Sequence, residues 1–475
     1  MPFVRKTSVR FYIFEMNTLI KKKNIFNMKV DMVGGPLIKS YLVYTLPYII
    51  ALLIQNTYNA ADMIILGQFA GDTAVAAVGA TTSITSFVVN LFIGFAVGYN
   101  IVIVRLFGEK DKDSLKSANS TALIVSLVIG VGLMIAGLIF AEPLLLLVKC
   151  PESILRDSAL YARIYFLSLP GLMFFNHFSS LIKATGDSVT SVYYLIVSAV
   201  TNITLNLFFV VVLKMPVIGV AIATTASIYV TAILCFIKVI RLDDFARLGL
   251  SDVRFSFDIF KKICKYGIPS SISIVAQTLV GLLSSSAKNS FGEQTVAAIS
   301  AHDSVFTLMF GIVYCFGSAL TSFMGQNMGA GNRDRVLKIR KFAYLFASGL
   351  SLVLAVFSFI FRSGIIALYL PDSPESIAIG ARAMAYNLLT MILYGATWIA
   401  QSSLMAMGKS TVNMVITLLK SVGFVAIWYI FVFPMNPVLD TMLAVSPIAA
   451  IIGLTFVVIE FVYIKKYKMG KEYRL

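Results

Sequence analysis

Histidine and cysteine are nearly missing from this chain, and charge is scarce. His177 and His302 are the two histidines among 475 residues, too few and too scattered for a metal site. Cys150, Cys235, Cys264 and Cys315 show no paired spacing and no companion histidine. That argues against zinc motifs and a disulfide framework, and leaves the cysteines as small apolar packers. Charged residues make up 13% of the chain against 58% hydrophobic, with a mean hydropathy of +0.87. Soluble domains carry about 25% charge, so a water-soluble core is excluded. No nucleophile, base and acid can be assembled into a catalytic set. The nearest approach to a phosphate loop, Gly408-Lys409-Ser410, has Ser403 where the loop's first glycine belongs. The backbone cradle is therefore missing, and ATP hydrolysis is not expected. Neither an enzyme nor a cofactor follows from this composition.

What the chain has instead is repetition. Leu46-Pro47, Gly71, Val75-Ala76-Ala77, Gly108 and Ala184-Thr185-Gly186 return as Ile268-Pro269, Gly292, Val296-Ala297-Ala298, Gly329 and Ala406-Met407-Gly408, each 221 or 222 residues later. Both copies are long apolar segments broken by short polar loops. This is the signature of a membrane transporter built from two halves with a site between them. Apolar runs of about 20 residues or more predict twelve spans, near 40–69, 73–104, 117–141, 154–182, 188–213 and 216–240, then 259–289, 295–325, 336–361, 375–406, 410–434 and 438–464. Six spans per half is an even number, so both halves enter the bilayer from the same side and the repeats are parallel. The expected fold is an all-α polytopic membrane protein of two parallel six-helix bundles. Its parts are a tail over 1–39, a first lobe over 40–240, a linker over 241–258, a second lobe over 259–464 and a tail over 465–475.

A formal charge of +16 raises nucleic acid as a partner, and the placement of the charge decides. Basic residues crowd both tails, the linker and the loops after the second, fourth, eighth and tenth spans. The other side carries Lys149, Arg156, Arg163, Lys214, Lys288, Arg362 and Arg382. This asymmetry predicts that both termini are cytoplasmic. It assigns the excess charge to topology and membrane lipid headgroups, with no nucleic acid.

Ionisable groups inside spans are costly and mark function. In the first span Gln55, Asn59 and Asp62 share one helical face, with Tyr58 beside them. The fifth span repeats the pattern with Ser198, Asn202 and Asn206. Asp62 and Asn206 each lie about seven residues, roughly 10 Å, from the outer ends of their helices, where they can face each other. Asp62 is the candidate to carry a proton or bind a cation; the alternative is an acid held by amides for packing. In the second half Gln277, Asp303, Gln401 and Lys420 are the cavity candidates. Asp303 and Lys420, roughly 12 and 21 Å deep, are expected either to pair or to hold separate solvated positions. His302 points about 100° away from Asp303 and need not share its role. Gly94, Gly98, Gly130 and Gly137 read as close-packing or bending positions, and Pro47, Pro170 and Pro269 as bends.

At these residues the chain resembles the multidrug and toxic compound extrusion (MATE) family, in its prokaryotic branch. The run from Gln55 to Gly67 is similar to that family's first helix, with Asp62 at its acidic position. The likeness extends to Gly292-Glu293-Gln294-Thr295-Val296-Ala297-Ala298, to Gly325-Gln326-Asn327-Met328-Gly329-Ala330-Gly331-Asn332, and to the Ala-x-Gly turns after the fourth and tenth spans. It covers about residues 30 to 465. The resemblance implies export of cationic or amphipathic small molecules in exchange for H+ or Na+ by alternating access, by a monomer in the bacterial cytoplasmic (inner) membrane. It implies that Asp62, Asn59 and Asn202 couple the ion, with Na+ at Asp62 the one metal to consider. Asn206 stands where many relatives carry Asp. The acidic cluster that some sodium-coupled relatives place on the seventh and tenth spans has no equivalent here, where those spans offer Gln277 and Gln401.

Three rivals remain. A lipid-linked precursor flippase of the same superfamily calls for a more cationic cavity. A major facilitator carrier calls for an Asp-Arg-x-Gly-Arg loop, which Gly108-Glu109-Lys110-Asp111-Lys112-Asp113 lacks. A channel or receptor leaves the two-fold repeat unexplained. Residues 1–27 have no counterpart in the resembling family and are too polar to cross a bilayer. Phe11, Tyr12, Ile13 and Phe14 beside Lys21, Lys22 and Lys23 would suit a short interfacial helix. The segment is expected to be poorly ordered and dispensable, with Met28 as a possible start. Deleting residues 1–27 should leave transport rate and melting temperature unchanged in side-by-side assays; a large fall in either would show that the segment docks on the lobes.

Overall fold

The structure, a computed structural model, describes residues 29–148, 150–242 and 253–468, with Asn59, Asp72, Ser83 and Lys468 described in backbone alone. The expectations for residues 1–27, for the linker at 243–252, for Lys149 and for the tail beyond Lys468 lie outside the described residues. Among the described residues eleven helices and one bent pair, twelve spans if the pair is one, follow one another: α1 Leu37–Ala70, α2 Asp72–Glu109, α3 Lys112–Leu147, α4 Glu152–Phe166 with Leu169–Ala184, α5 Ser188–Val212, α6 Pro216–Ile240, α7 Phe257–Asn289, α8 Glu293–Gly329, α9 Arg333–Ile360, α10 Pro374–Ala406, α11 Ser410–Met435 and α12 Leu439–Lys468. The eleven unbroken ones are each long and apolar enough to cross a membrane. The fourth differs from the single predicted span: it is two segments bent by 41°, with Pro170 in the first turn of the second. Proline has no N–H to continue the first segment's ladder, which accounts for the break.

The repeat is visible in the backbone. Gly71 between α1 and α2 and Gly292 between α7 and α8 take φ of +79° and +84°, a region that side chains with a Cβ rarely enter. One such residue lets each long helix reverse into the next.

The halves join at one end. α2 lies along α7 so closely that a Cβ on Gly98 would sit 2.5 Å from the Gly267 nitrogen, and against α8 so closely that one on Gly108 would sit 2.1 Å from the Gln326 carbonyl oxygen. Buried side chains there form clusters that cross between halves: Tyr99, Val102 and Leu106 with Ile259, Ile263 and Tyr266, and Met32, Tyr41 and Tyr44 with Phe316, Leu320 and Phe323. The segment before α1 also ties the halves together. Val30 N donates to Gly186 O (3.0 Å) in the first half, while Asn327 Nδ2 donates to Met32 O (3.0 Å) and Arg335 Nη2 to Gly35 O (2.8 Å) from the second. At the opposite end the cores are separate. Ile65, Leu66, Leu145 and Val220 belong to one, and Ala287, Ile299, Tyr429 and Leu443 to another. The cleft between the lobes therefore opens away from the end that carries the described chain ends.

One deep ion pair escaped the sequence reading. Glu460 of α12 is fully buried and binds Arg340 of α9 through both carboxylate oxygens. Ser403 Oγ donates to it as well (2.5 Å), as does Tyr344 OH (3.3 Å). Breaking such a pair leaves an uncompensated buried charge, so Arg340→Met should cost about 3–5 kcal/mol. The double variant Arg340→Met with Glu460→Leu should recover most of that loss in thermal unfolding of the purified protein; equal losses would show that packing rather than charge is at stake.

Candidate functional site

Asp62 lies on α1, half-buried, on the side of the first lobe nearer the open end. Asn206 of α5 donates through Nδ2 to Asp62 Oδ1 and, more weakly, to Asn202 Oδ1 (3.3 Å). Asn202 Nδ2 continues the chain to Thr224 Oγ1 on α6 (3.4 Å). Asn202 and Asn206 are buried, so the amides hold the carboxylate from behind. Asn206 sits at the last α-helical turn of α5, where the helix widens into a π-type segment over Leu207–Val212. That widening inserts an extra residue per turn and re-aims the flanking side chains.

Two further residues belong to this corner. Tyr161 and Tyr165 of α4 stack with centroids 6.3 Å apart, and Tyr161 lies within electrostatic reach of both Asp62 and Tyr58. Their i, i+4 spacing was the available signal, but on an amphipathic segment carrying Arg156 and Arg163 it is indistinguishable from ordinary packing. Tyr58 is half-buried and approaches Gln55, which is exposed. The side chain of Asn59 is outside the described residues. Asn206 Oδ1 is buried without a hydrogen-bond partner among the described residues. An orphan amide oxygen beside a carboxylate is the donor chemistry that suits a hard cation, and equally a protonated acid.

The second lobe bears on two points that the sequence leaves open. Asp303 of α8 does not pair with Lys420. Its partners are Lys288 Nζ of α7 (3.3 Å) and His302 Nδ1 (3.0 Å). His302 is therefore part of the Asp303 cluster, because the side-chain torsions close the angle that the helix opens between neighbours. Asn387 Nδ2 of α10 donates to His302 Nε2 (3.0 Å), which leaves Nδ1 as the ring donor to Asp303. Asp303 is exposed at the open end. Lys420 is half-buried on α11 beside Gly453 of α12 and has no carboxylate within 4 Å among the described residues. Gln277 is exposed and donates to Ser273 O (3.2 Å), and Gln401 is half-buried on α10. The structure brings Asp62, Asn202 and Asn206 together and does not join them to the second-lobe candidates. Lys183, counted from sequence as a loop cation, sits in the last turn of α4 with Nζ 4.8 Å from the Tyr48 ring centroid.

The MatE family profile matches residues 47–208 and again 269–432, once in each half. The probable multidrug resistance protein YoeA of Bacillus subtilis is 26% identical over 78% of this chain and 81% of its own. The probable multidrug resistance protein YpnP of the same organism is 25% identical over 93% and 97%. A crystal structure of MATE in the bent conformation superposes with a TM-score of 0.84 at 22% identity, over 93% of this chain and 99% of the other; at that identity the likeness speaks for the fold.

A hydrophobic carbodiimide, which reacts with protonated carboxyls inside membranes, should modify Asp62 in preference to Glu460. The first is half-buried at a cleft and the second is enclosed and paired with arginine. Peptide mass spectrometry reads the adducts; labelling of Glu460 alone would rule out an accessible acid at Asp62.

Proposed function

This chain belongs to the MatE family of membrane transporters, and we propose that it is a secondary active multidrug efflux antiporter. In this reading cationic or amphipathic small molecules leave in exchange for H+ or Na+ by alternating access, and both termini lie in the cytoplasm of a bacterial cell. The arrangement described above is then the outward-open state. The observation that carries the reading is the carboxylate of Asp62, held by Asn206 from behind and half-buried toward the cleft. A proton, a Na+ ion and a cationic substrate can each neutralise one carboxylate, but not together. Occupancy by one favours release of another, and exchange follows if the lobes reorient between the two loaded forms. Gln55, Tyr58 and Asn59 complete the proposed coupling face; Gln277, Asp303, Gln401 and Lys420 are proposed to line the substrate path.

A second reading has one observation in its favour. Lys183 and Lys420 are deep cations without a carboxylate within 4 Å among the described residues, which suits an amphiphile bearing an anionic group. Proteoliposome flux with pH and Na+ gradients imposed separately, using cationic and anionic amphiphiles in parallel, distinguishes the two.

Asp62→Asn keeps the volume and removes the charge. It should reduce gradient-driven export to the level of protein-free liposomes while expression and melting temperature stay near wild type; wild-type flux would sink the Asp62 assignment. Asn206→Asp introduces a second acid against the first, and coupled acids titrate as a pair. Its pH–flux profile should differ from wild type in midpoint or steepness, and an unchanged profile would remove Asn206 from the coupling site.

A further inference from the structure

A second, partly open cavity lies on the boundary between the halves, away from Asp62, with a volume of about 40 Å³. Its walls include Phe92, Phe95 and Tyr99 of α2, Met173 and His177 of α4, and Ile263 of α7. His177 is 3% exposed, and neither ring nitrogen has a hydrogen-bond partner among the described residues. Its ring packs on Tyr99 (centroids 4.5 Å apart) and Phe178 (5.1 Å). Tyr99 does not serve it: its phenol hydroxyl donates to Asn119 Oδ1 at 2.5 Å, and neither His177 nitrogen donates to it. A buried polar ring without a partner is unfavourable, so His177 calls for one that the protein does not supply.

We propose that this cavity binds a small neutral amphiphile whose single hydroxyl hydrogen-bonds a His177 ring nitrogen while its apolar body fills the walls formed by Phe92, Phe95, Met173 and Ile263. A neutral imidazole offers one donor and one acceptor, and a hydroxyl satisfies either. The lining contains no carboxylate, so a cation has no counter-charge there, unlike at Asp62. An anion would require a protonated imidazole among aromatic walls, where desolvation opposes the pair. Access comes from the lipid. Half-buried Val125, Ser126 and Ile129 line the cavity on α3, next to Leu127 and Val128, which are 47% and 64% exposed. His177 lies seven residues before the end of α4, roughly 10 Å from it, so the cavity opens to the leaflet at the closed end. Because Ile263 belongs to the second half and the other lining residues to the first, the ligand touches both lobes. It binds best while α7 packs on α2 and so favours the closed-end arrangement.

The test uses the full chain in lipid nanodiscs, a benzyl alcohol carrying a photoreactive diazirine, and the matching methyl ether. The alcohol should give saturable adducts on α2, α4 or α7 next to the cavity, with half-saturation at about tenfold lower concentration than the ether, the size of one net hydrogen bond. Ile263→Trp should abolish the saturable labelling, and His177→Phe should equalise alcohol and ether. Equal half-saturation of the two probes on the wild-type chain, or adducts that never saturate and spread over the lipid-facing surface, would overturn the proposal. The wild-type comparison decides even if a variant fails to fold.

Discussion

Backbone contact between the two halves is the constraint from which the rest of the arrangement follows. Within lipid there is no hydrophobic force to press one helix on another, so association rests on close packing, and small residues permit it. Gly94 and Gly98 of α2 meet Ser271 and Gly267 of α7, while Gly108 and Gly329 meet Gln326 and Arg105 across the ends of α2 and α8. In each place an added Cβ would fall 2.1 to 2.5 Å from backbone, which leaves no room for lipid or side chain. The glycines sit in the half of each helix nearer the closed end, so that end is sealed. Past Asn90, whose amide reaches Thr278 (3.2 Å), each half keeps its own core and the lobes part.

The repeat sets the frame but not the charges placed in it. Lys238 and Glu460 stand one repeat apart, 222 residues, at the same position with opposite sign. Each is neutralised locally, Lys238 by buried Asp187 (3.2 Å) and Glu460 by Arg340. The halves thus tolerate a charge at one framework position provided a partner comes with it, whatever its sign. The working polar groups are not duplicated. Asp62 has Ser284 at its counterpart, engaged with Tyr429 OH (3.1 Å), and Asn206 has Trp428, whose indole donates to Thr441 O (2.9 Å). One lobe presents an acid backed by amides, and the other presents an exposed acid already paired with Lys288 and His302.

Period and length made the spans and the Asp62–Asn206 stripe legible in the sequence. A 34-residue apolar helix interrupted by a polar face leaves few alternatives, and the repeat fixes the count. The ion pairs were not legible. Nothing in one dimension says that α9, which carries Arg340, and α12, which carries Glu460, are neighbours. Depth alone leaves Asp303 and Lys420 free to pair or to stand apart. Depth is one coordinate of three, and α7 intervenes with Lys288. The angle of about 100° between helix neighbours does not separate His302 from Asp303, because it governs Cβ directions and not the reach of two flexible side chains toward each other.

The deep polar residues on α5 and α11 share one more feature that no periodicity count shows. Asn206 and Lys420 each end an α-helical stretch and are followed at once by π-type turns, Leu207–Val212 and Ser421–Ala426. A wide turn adds a residue, so the face beyond it is rotated relative to the face before it. On α5 this turns Asn206 inward to Asp62 while Leu207, Phe208 and Val212, exposed at 43%, 46% and 66%, face outward. Val210, four residues beyond Asn206, is buried like Asn202 and Asn206 but apolar, and its neighbour Phe209 packs against Gly219. The polar stripe therefore stops at Asn206. That leaves the Asn206 amide donating to both Asn202 and Asp62, with its oxygen unpartnered among the described residues beside the Asp62 carboxylate.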